Sequence, residues 1–338
     1  MIFAISLPAA FLLAQLQAAP HLTRFEFTQA QMGVPFRIIL HAENQEHGTQ
    51  AAKAAFARIS ELNAVLSNYE TDSELSQLGY QSGSQGWTPT SADLFRILVR
   101  AQRLAQLTDG AFDLTIGPLA ASWRNARRTK AFPDVAQLDR FRARVGWQHV
   151  KLNHSRQQVR LSIPGMRLDP GGIAKGDALD QALQSLRQNG ISQALVAGAG
   201  DIAVSDSPPG REAWRIQLSD FNTKAKLLPA LVNLENQAIA TSGDLFQFVE
   251  IDGKRYSHIV DPKTGLGLTE RRLVSVIAPD GMTADSLATA LSVVDFDKIE
   301  NILRYFPGSA ARILTLEGDQ QTESTYGRFP RFQAEARE

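Results

Sequence analysis

A glycine-rich joint between a predicted strand and a predicted helix places the strongest constraint on how this chain can fold. Residues 168–180 read Leu-Asp-Pro-Gly-Gly-Ile-Ala-Lys-Gly-Asp-Ala-Leu-Asp, and polar and apolar residues alternate over 157–163 just before them. Gly171 and Gly172 allow the backbone to approach a ligand closely, and a helix start offers unpaired N–H groups. Lys175 adds a cation. The joint therefore predicts a cradle for phosphate groups, although a glycine turn with a surface lysine fits the same residues.

Short predicted strands recur along the chain and are mostly neighbours in sequence. They cover residues 36–41, 157–163, 193–197, 214–219, 238–241, 246–251, 273–278 and 311–314, with a hairpin turn at Asp252-Gly253. Helices are predicted over 50–66, 73–78, from Thr90 or Ser91 to Gly110, from Asp134, from the glycine joint to about Asn189, and from Thr283 through Val293. Strands that pair locally favour a mixed α+β fold over a doubly wound one. We interpret residues 22–320 as one domain and 321–338 as a polar tail.

The composition excludes several classes of protein. Lys and Arg number 35, as do Asp and Glu, so the formal charge is zero, which is a poor electrostatic footprint for nucleic-acid binding. The short basic cluster of Arg124, Arg127, Arg128 and Lys130 is interpreted as a solvated loop face. The absence of cysteine excludes disulfides, thiolate metal sites and cysteine nucleophiles, and it fits an oxidising compartment.

The first residues resemble a secretory leader. Residues 1–20 are apolar and end in small residues, which predicts a signal peptide over 1–18 with cleavage near Ala18. The apolar run is short for a membrane span and contains Pro8, so export with cleavage is the expected outcome. With no cysteine in the chain, a lipid anchor after the leader is excluded.

Asp285 and Thr289 lie four residues apart in a predicted helix, and such positions share one helix face. A carboxylate and a hydroxyl are hard oxygen donors of the kind that Mg²⁺ takes. Taken alone, the pair also fits an acid in the first helical turn and a threonine bonded to its own helix.

His258 lies where a predicted strand runs into the turn Asp261-Pro262. A single histidine on a strand is commonly a packed residue. The nearby acids Asp244 and Asp261 favour its membership of a site, in which it could act as a base.

Eight short motifs occur in a fixed order along the chain. They are Met32-Gly-Val34, Leu66-Ser-Asn-Tyr-Glu-Thr-Asp-Ser-Glu-Leu75, Thr108-Asp-Gly-Ala-Phe-Asp113, Asp169-Pro-Gly-Gly-Ile-Ala-Lys-Gly176, Gly198-Ala-Gly-Asp201, Ala240-Thr-Ser-Gly-Asp244, His258-Ile-Val-Asp-Pro-Lys-Thr-Gly265 and Ala284-Asp-Ser-Leu-Ala-Thr289. Together they resemble the FAD:protein FMN transferases, the ApbE family, over about residues 28–316.

This resemblance implies a two-lobed fold related to the T-fold, with FAD between the lobes. It also implies a Mg²⁺-dependent reaction in which FMN passes from FAD to a threonine or serine of an acceptor protein and AMP leaves. By similarity, Asp285, Thr289 and the backbone carbonyl of Ala174 hold the metal, and His258 activates the acceptor hydroxyl. The implied FAD-binding residues are Met32, Tyr69, Ala111, Phe112, Asp113, Gly171, Lys175, Asp177 and Ile259. The family usually has Tyr where this chain has Asp177, which alters one wall of the implied flavin pocket.

The resemblance also implies partners and alternatives. The expected acceptor is a subunit of a membrane electron-transport complex, and the expected location is the periplasm or the periplasmic face of the inner membrane. A Mg²⁺-dependent FAD pyrophosphatase is a second reading, which Tyr69 disfavours. A non-catalytic flavin-binding protein is a third, which the joint presence of Asp285, Thr289 and His258 disfavours, because a carrier needs neither metal nor base.

Overall fold

One eight-stranded sheet organises the chain in a computed structural model that describes residues 21–221, 230–245 and 247–330. The strands are β1 (Thr23–Gln31), β2 (Val34–Ala42), β3 (Thr88–Pro89), β4 (Val150–Asn153), β5 (Gln158–Leu161), β6 (Ala194–Gly198), β7 (Asp201–Val204), β8 (Trp214–Gln217), β9 (Leu231–Leu234), β10 (Gln237–Gly243), β11 (Phe248–Ile251), β12 (Lys254–Ser257), β13 (Arg271–Ala278), β14 (Ala310–Glu317) and β15 (Gln320–Tyr326). The helices are α1 (Gln45–Leu66), α2 (Glu74–Tyr80), α3 (Ala92–Leu107), α4 (Gly117–Thr129), α5 (Val135–Arg142), α6 (Ala174–Gln188), α7 (Gly281–Val293) and α8 (Phe296–Leu303).

The large sheet has the order β1-β2-β6-β7-β10-β13-β14-β15, and every neighbouring pair is antiparallel. Smaller sheets are formed by β3-β5-β4, by β8-β9 and by the hairpin β11-β12. This arrangement confirms the predicted mixed α+β class.

Alternation along the strands divides the core between the two sheet faces. In β2, Phe36, Ile38 and Leu40 are buried with the helices α1, α6 and α7, while Ile39 faces a second cluster that includes Trp214. The helices α1, α6 and α7 therefore cover one face of the sheet, and α6 lies between the other two.

A separate cluster forms a second lobe. Leu119 and Trp123 of α4 pack with Val249 and Ile251 of the hairpin β11-β12, and Trp123 Nε1 donates to the carbonyl of Gly265 at 2.9 Å. This lobe fixes the hairpin whose end carries the candidate base, in agreement with the two-lobed arrangement that the resemblance implies.

Local signals in the sequence predicted the starts of α2, α3 and α5. The side chains of Ser73, Ser91 and Asp134 cap α2, α3 and α5, and Asp252 and Gly253 have the positive φ angles of a tight hairpin turn. The predicted start of α7 at Thr283 is wrong. Asp280 caps this helix, and the amide of Thr283 donates to the Asp280 carboxylate.

Two further predictions are wrong. Residues 117–129 form helix α4, so the basic cluster lies on a helix and not on a loop. Residues 320–326 form edge strand β15 of the large sheet, so the predicted polar tail begins inside the domain. The predicted leader and residues 331–338 lie outside the described residues. In the described part of the chain, no helix is long and apolar enough to cross a membrane.

Candidate active site

The helices α6 and α7 cross at two glycines, and this crossing builds the site. A Cβ atom on Gly176 would lie 2.0 Å from the carbonyl oxygen of Gly281, and one on Gly281 would lie 2.6 Å from the carbonyl oxygen of Gly176. No real Cβ contact is that short, so the two backbones touch at a distance that only glycine permits. The crossing brings the first turns of both helices together.

Each helix caps the other. Asp180 of α6 accepts from the amides of Gly281 and Met282 at 2.6 and 2.9 Å, and Asp285 of α7 accepts from the amide of Gly176 at 3.0 Å. Carboxylates at helix starts satisfy unpaired N–H groups and favour the positive end of the helix dipole. The residue just before α6, Ile173, provides no side-chain cap, so Asp285 supplies this function from another helix.

The ammonium of Lys175 lies among acids at the start of α6. Its Nζ donates to the carbonyl of Gly171 at 2.7 Å and lies 3.7 Å from Asp285 and 3.9 Å from Asp201. Burial alone would lower the pKa of Lys175, but the charges of Asp285, Asp201 and Asp169 outweigh it and raise the pKa. Lys175 is therefore a fixed positive charge.

Asp201 also belongs to this cluster, although it is not among the site residues predicted from the sequence. It follows the turn of Ala199 and Gly200, both with positive φ, and its Oδ1 accepts from the amide of Thr241 at 3.2 Å. Its Oδ2 is buried without a hydrogen-bond partner. Burial, with the nearby charge of Asp285, raises the pKa of Asp201 to about 8, and burial also raises that of Asp285. The glycine-rich strand end at 198–201 was the available signal.

Thr289 completes the cluster on the side of the glycine joint. A Cβ atom on Gly172 would lie 2.6 Å from Thr289 Oγ1, and that hydroxyl lies 3.3 Å from Ser242 Oγ at the end of β10. The structure thus places Thr289 against Gly172 and Asp285 against the amide of Gly176, on either side of Ala174 in the sequence.

These groups fit a hard divalent cation. Two buried carboxylates face a single ammonium, one carboxylate oxygen lacks a partner, and a hydroxyl adjoins them. The described residues contain no group of three or more His, Asp or Glu side chains that could hold a metal. A Mg²⁺ site needs only a few protein ligands, because waters and substrate phosphates fill its other positions.

His258 directly follows the hairpin β11-β12. Its backbone N–H donates to the carbonyl of Gln247 at 3.0 Å, and its Nδ1 lies 3.1 Å from the same oxygen. A carbonyl can only accept, so Nδ1 carries the proton and Nε2 has the free lone pair. Burial, with the positive charges of Arg127 and Lys175, lowers the pKa of His258 to about 4, so the ring is neutral near pH 7 and able to accept a proton.

The predicted flavin-binding residues differ in their exposure and in their contacts. Tyr69 is 74% exposed, and Arg124 of α4 stacks on its ring while bonding Asp169 at 2.7 Å. Met32 forms the tight turn between β1 and β2, and Ile259 is buried beside His258. Gly171 is exposed at the joint, where its amide donates to Asp169 at 3.0 Å.

The stretch 111–113 is buried and largely structural. Ala111 and Phe112 belong to the main core. Asp113 accepts from the amide and hydroxyl of Thr115 and from the amide of Trp147, so its carboxylate organises the loop. The side chains of residues 111–113 are therefore occupied within the protein, and only the backbone of this loop could contact a ligand.

Asp177 does not form a pocket wall in this structure. Its side chain is 0% exposed, and its two oxygens accept from Arg96 of α3 at 3.0 and 2.8 Å. The residue lies on the side of α6 that packs against α3, which leaves no surface for a ligand. We therefore leave Asp177 out of the proposed ligand contacts.

The fold and the site define a mixed α+β protein in which two helix starts meet beside a lysine and two buried carboxylates. The profile of the ApbE family matches residues 32–313, and the chain belongs to this family.

Curated relatives and a solved structure agree with this assignment. The chain is 29% identical over 327 residues to a FAD:protein FMN transferase of Salmonella typhimurium, covering 94% of this chain and 93% of the relative. It is 30% identical over 294 residues to one of Escherichia coli K12, covering 85% and 83%. The flavin transferase ApbE from Vibrio cholerae superposes with a TM-score of 0.81 at 28% identity, covering 90% of this chain and 98% of that one.

Proposed function

We propose that this protein is a Mg²⁺-dependent FAD:protein FMN transferase, which attaches FMN to a threonine or serine hydroxyl of an acceptor protein and releases AMP. The observation that carries the proposal is the convergence of Asp201, Asp285 and Lys175 at an exposed glycine joint. A pyrophosphate needs positive charge and N–H donors placed in advance around the bond that breaks. Membership of the ApbE family and the names of the relatives support flavin transfer as the reaction.

The start of α6 would receive the FAD pyrophosphate. Gly171 and Gly172 leave room for a phosphate next to the backbone, and Lys175 supplies a permanent charge. Asp285, Thr289 and the carbonyl of Ala174 would hold Mg²⁺. When bound, the ion neutralises charge that develops on the phosphate oxygens.

His258 would act on the acceptor. A threonine hydroxyl is a weak nucleophile near neutral pH and needs an adjacent base. The acceptor oxygen bonds to the FMN phosphorus while the bond to the AMP phosphate breaks, and the hydroxyl proton passes to Nε2 of His258. AMP leaves with the electron pair of the broken bond.

An intact-mass experiment tests the proposal. The purified protein is incubated with FAD, Mg²⁺ and a candidate acceptor, and both the acceptor mass and AMP are measured. Covalent FMN on the acceptor supports transfer, AMP with free FMN indicates hydrolysis, and neither product indicates a carrier. Asp285→Ala should abolish both products, while Asp297→Ala, an exposed acid on α8, should leave them unchanged. Full activity of the Asp285 variant would refute the metal assignment.

Export and the acceptor class belong to the same proposal. The apolar leader and the lack of cysteine support an exported protein, and the resemblance favours an acceptor in a membrane electron-transport complex. Mass analysis of the mature N-terminus after expression in a bacterium tests the predicted cleavage near Ala18.

A further inference from the structure

The base His258 is oriented by one carbonyl group, that of Gln247. Both the backbone N–H and Nδ1 of His258 lie within hydrogen-bond distance of this oxygen. Gln247 precedes β11 and follows Asp244 by three positions. The orientation of the imidazole therefore depends on how firmly the chain near Gln247 is held between β10 and the hairpin β11-β12.

Arg255 ties that part of the chain to the hairpin. Its Nε donates to Asp244 Oδ2 at 2.5 Å, and its Nη2 donates to the backbone carbonyl of Asp244 at 2.6 Å. The guanidinium also stacks on Phe248, with Cζ 3.1 Å from the ring centroid. Arg255 lies on β12, three residues before His258. The two ends of the segment from Asp244 to Arg255 are thus joined by a two-point, charge-assisted contact.

Asp244 is a buried acid. It is 3% exposed, and Arg271 Nε lies 3.6 Å from the same Oδ2 that Arg255 holds. A buried carboxylate is costly unless it is paired, and removing one partner of a buried pair is strongly destabilising to the local structure. In the sequence alone, Asp244 is recognisable only as an acid near His258.

We propose that Asp244 is a positioning residue: through Arg255 it fixes the carbonyl of Gln247, which holds His258 with Nδ1 protonated and Nε2 directed to the acceptor hydroxyl. This inference rests on the proposed role of His258 as the base. Asp244 also contributes negative charge near the ring, which stabilises the imidazolium that forms when the proton is taken. Its contribution is therefore to the chemical step and not to FAD binding.

Two variants and a matched control test the inference. Asp244→Asn keeps the size of the side chain and removes the charge, and Arg255→Lys keeps the charge and removes the two-point contact. Glu250→Gln is the control, because Glu250 is an exposed second partner of Arg255 at 3.6 Å. Each variant is compared with the parent by AMP release with an acceptor, by the KM for FAD and by ¹⁵N NMR of the His258 ring.

The expected result is a kcat about 10–100-fold lower in Asp244→Asn and Arg255→Lys, with a KM for FAD within about twofold of the parent. The ¹⁵N spectrum should change from a single Nδ1-protonated tautomer to a mixture, and Glu250→Gln should match the parent in all three measurements. An unchanged tautomer and kcat in both variants would overturn the inference. A mixed tautomer with an unchanged kcat would overturn it as well. In that case the change of tautomer would still show that Asp244 and Arg255 orient the ring, and the failure would lie in the proposed role of His258, because the NMR measurement requires no transfer chemistry.

Discussion

The substitution Gly176→Ala is the sharpest test of how the site is built, because it adds a single methyl group at the crossing of α6 and α7. The new Cβ would lie 2.0 Å from the carbonyl oxygen of Gly281 and 2.8 Å from the amide nitrogen of Met282. Contacts below 3.0 Å do not occur, so the two backbones must separate by about 1 Å at this point. Overpacking of this kind costs about 1–3 kcal/mol.

The same displacement reaches the site directly. The bond from the Gly176 amide to Asp285 is 3.0 Å long, and an added 1 Å would take it beyond hydrogen-bond range. Loss of a hydrogen bond to a charged group costs about 1.5–3 kcal/mol more. We therefore expect a loss in the free energy of unfolding of about 2.5–6 kcal/mol, obtained from urea denaturation, and a fall in AMP release of about 100-fold.

Gly86→Ala is the matched control. Nothing lies within 4 Å of a Cβ at Gly86, so the same chemical change there should be neutral or slightly stabilising. If Gly176→Ala unfolds at the same urea concentration as Gly86→Ala and keeps full activity, the close approach of the two helices is not what positions Asp285.

Three further predictions concern charged groups at the crossing. Lys175→Met removes the fixed cation beside the glycine joint and should raise the KM for FAD by about 10–100-fold, as measured by AMP release; an unchanged KM would exclude Lys175 from phosphate binding. Asp201→Asn should raise the Mg²⁺ concentration required for half-maximal activity about tenfold or more, in a titration at fixed FAD, and an unchanged requirement would exclude Asp201 from the metal site. Burial raises the pKa of Asp180 to about 7 from 3.8, so its stabilising contribution is complete below pH 3.8 and is lost as the pH rises to about 7. Urea denaturation at pH 4.5 and 7.5 should therefore show a smaller loss of stability in Asp180→Asn than in the parent, and equal losses would contradict the assignment.

Much of the fold was predictable because its signals are local. The caps at Ser73, Ser91 and Asp134 act within three residues, and the turn at Asp252-Gly253 acts within two. The motifs around Asp285 and Thr289 were likewise readable, because residues four apart on a helix share a face.

Among the elements that were not predicted, helix α4 and strand β15 differ in the signals that they carry. Helix α4 begins at Gly117, and Ile116 before it provides no side-chain cap, but Leu119, Trp123 and Ala126 follow helical spacing and Pro118 lies in the first turn. Strand β15 is an exposed edge strand of Gln, Thr, Glu and Ser, so no buried face produces an alternating pattern. The signal for α4 was therefore present in the sequence, whereas β15 is defined by its pairing with β14.

The pairings that determine the site join residues far apart in the chain. Asp285 meets the amide of Gly176 across 109 positions, and Arg96 meets Asp177 across 81. The role of Asp177 could not be read from its own motif, because the presence of Arg96 on a neighbouring helix decides whether its carboxylate faces a ligand or the core.

The two halves of the site are held by different parts of the protein, and this should separate their responses to mutation. The cation and phosphate groups depend on the crossing of α6 and α7 in the main core, where Asp180 and Asp285 cap both helices. A change there should lower global stability and the affinity for Mg²⁺ together, since the same bonds serve both. His258 depends instead on the small cluster of α4 and the hairpin β11-β12, and on the contact between Asp244 and Arg255. A change in that lobe should lower kcat with little effect on FAD binding, because the pyrophosphate-binding helix starts remain in place.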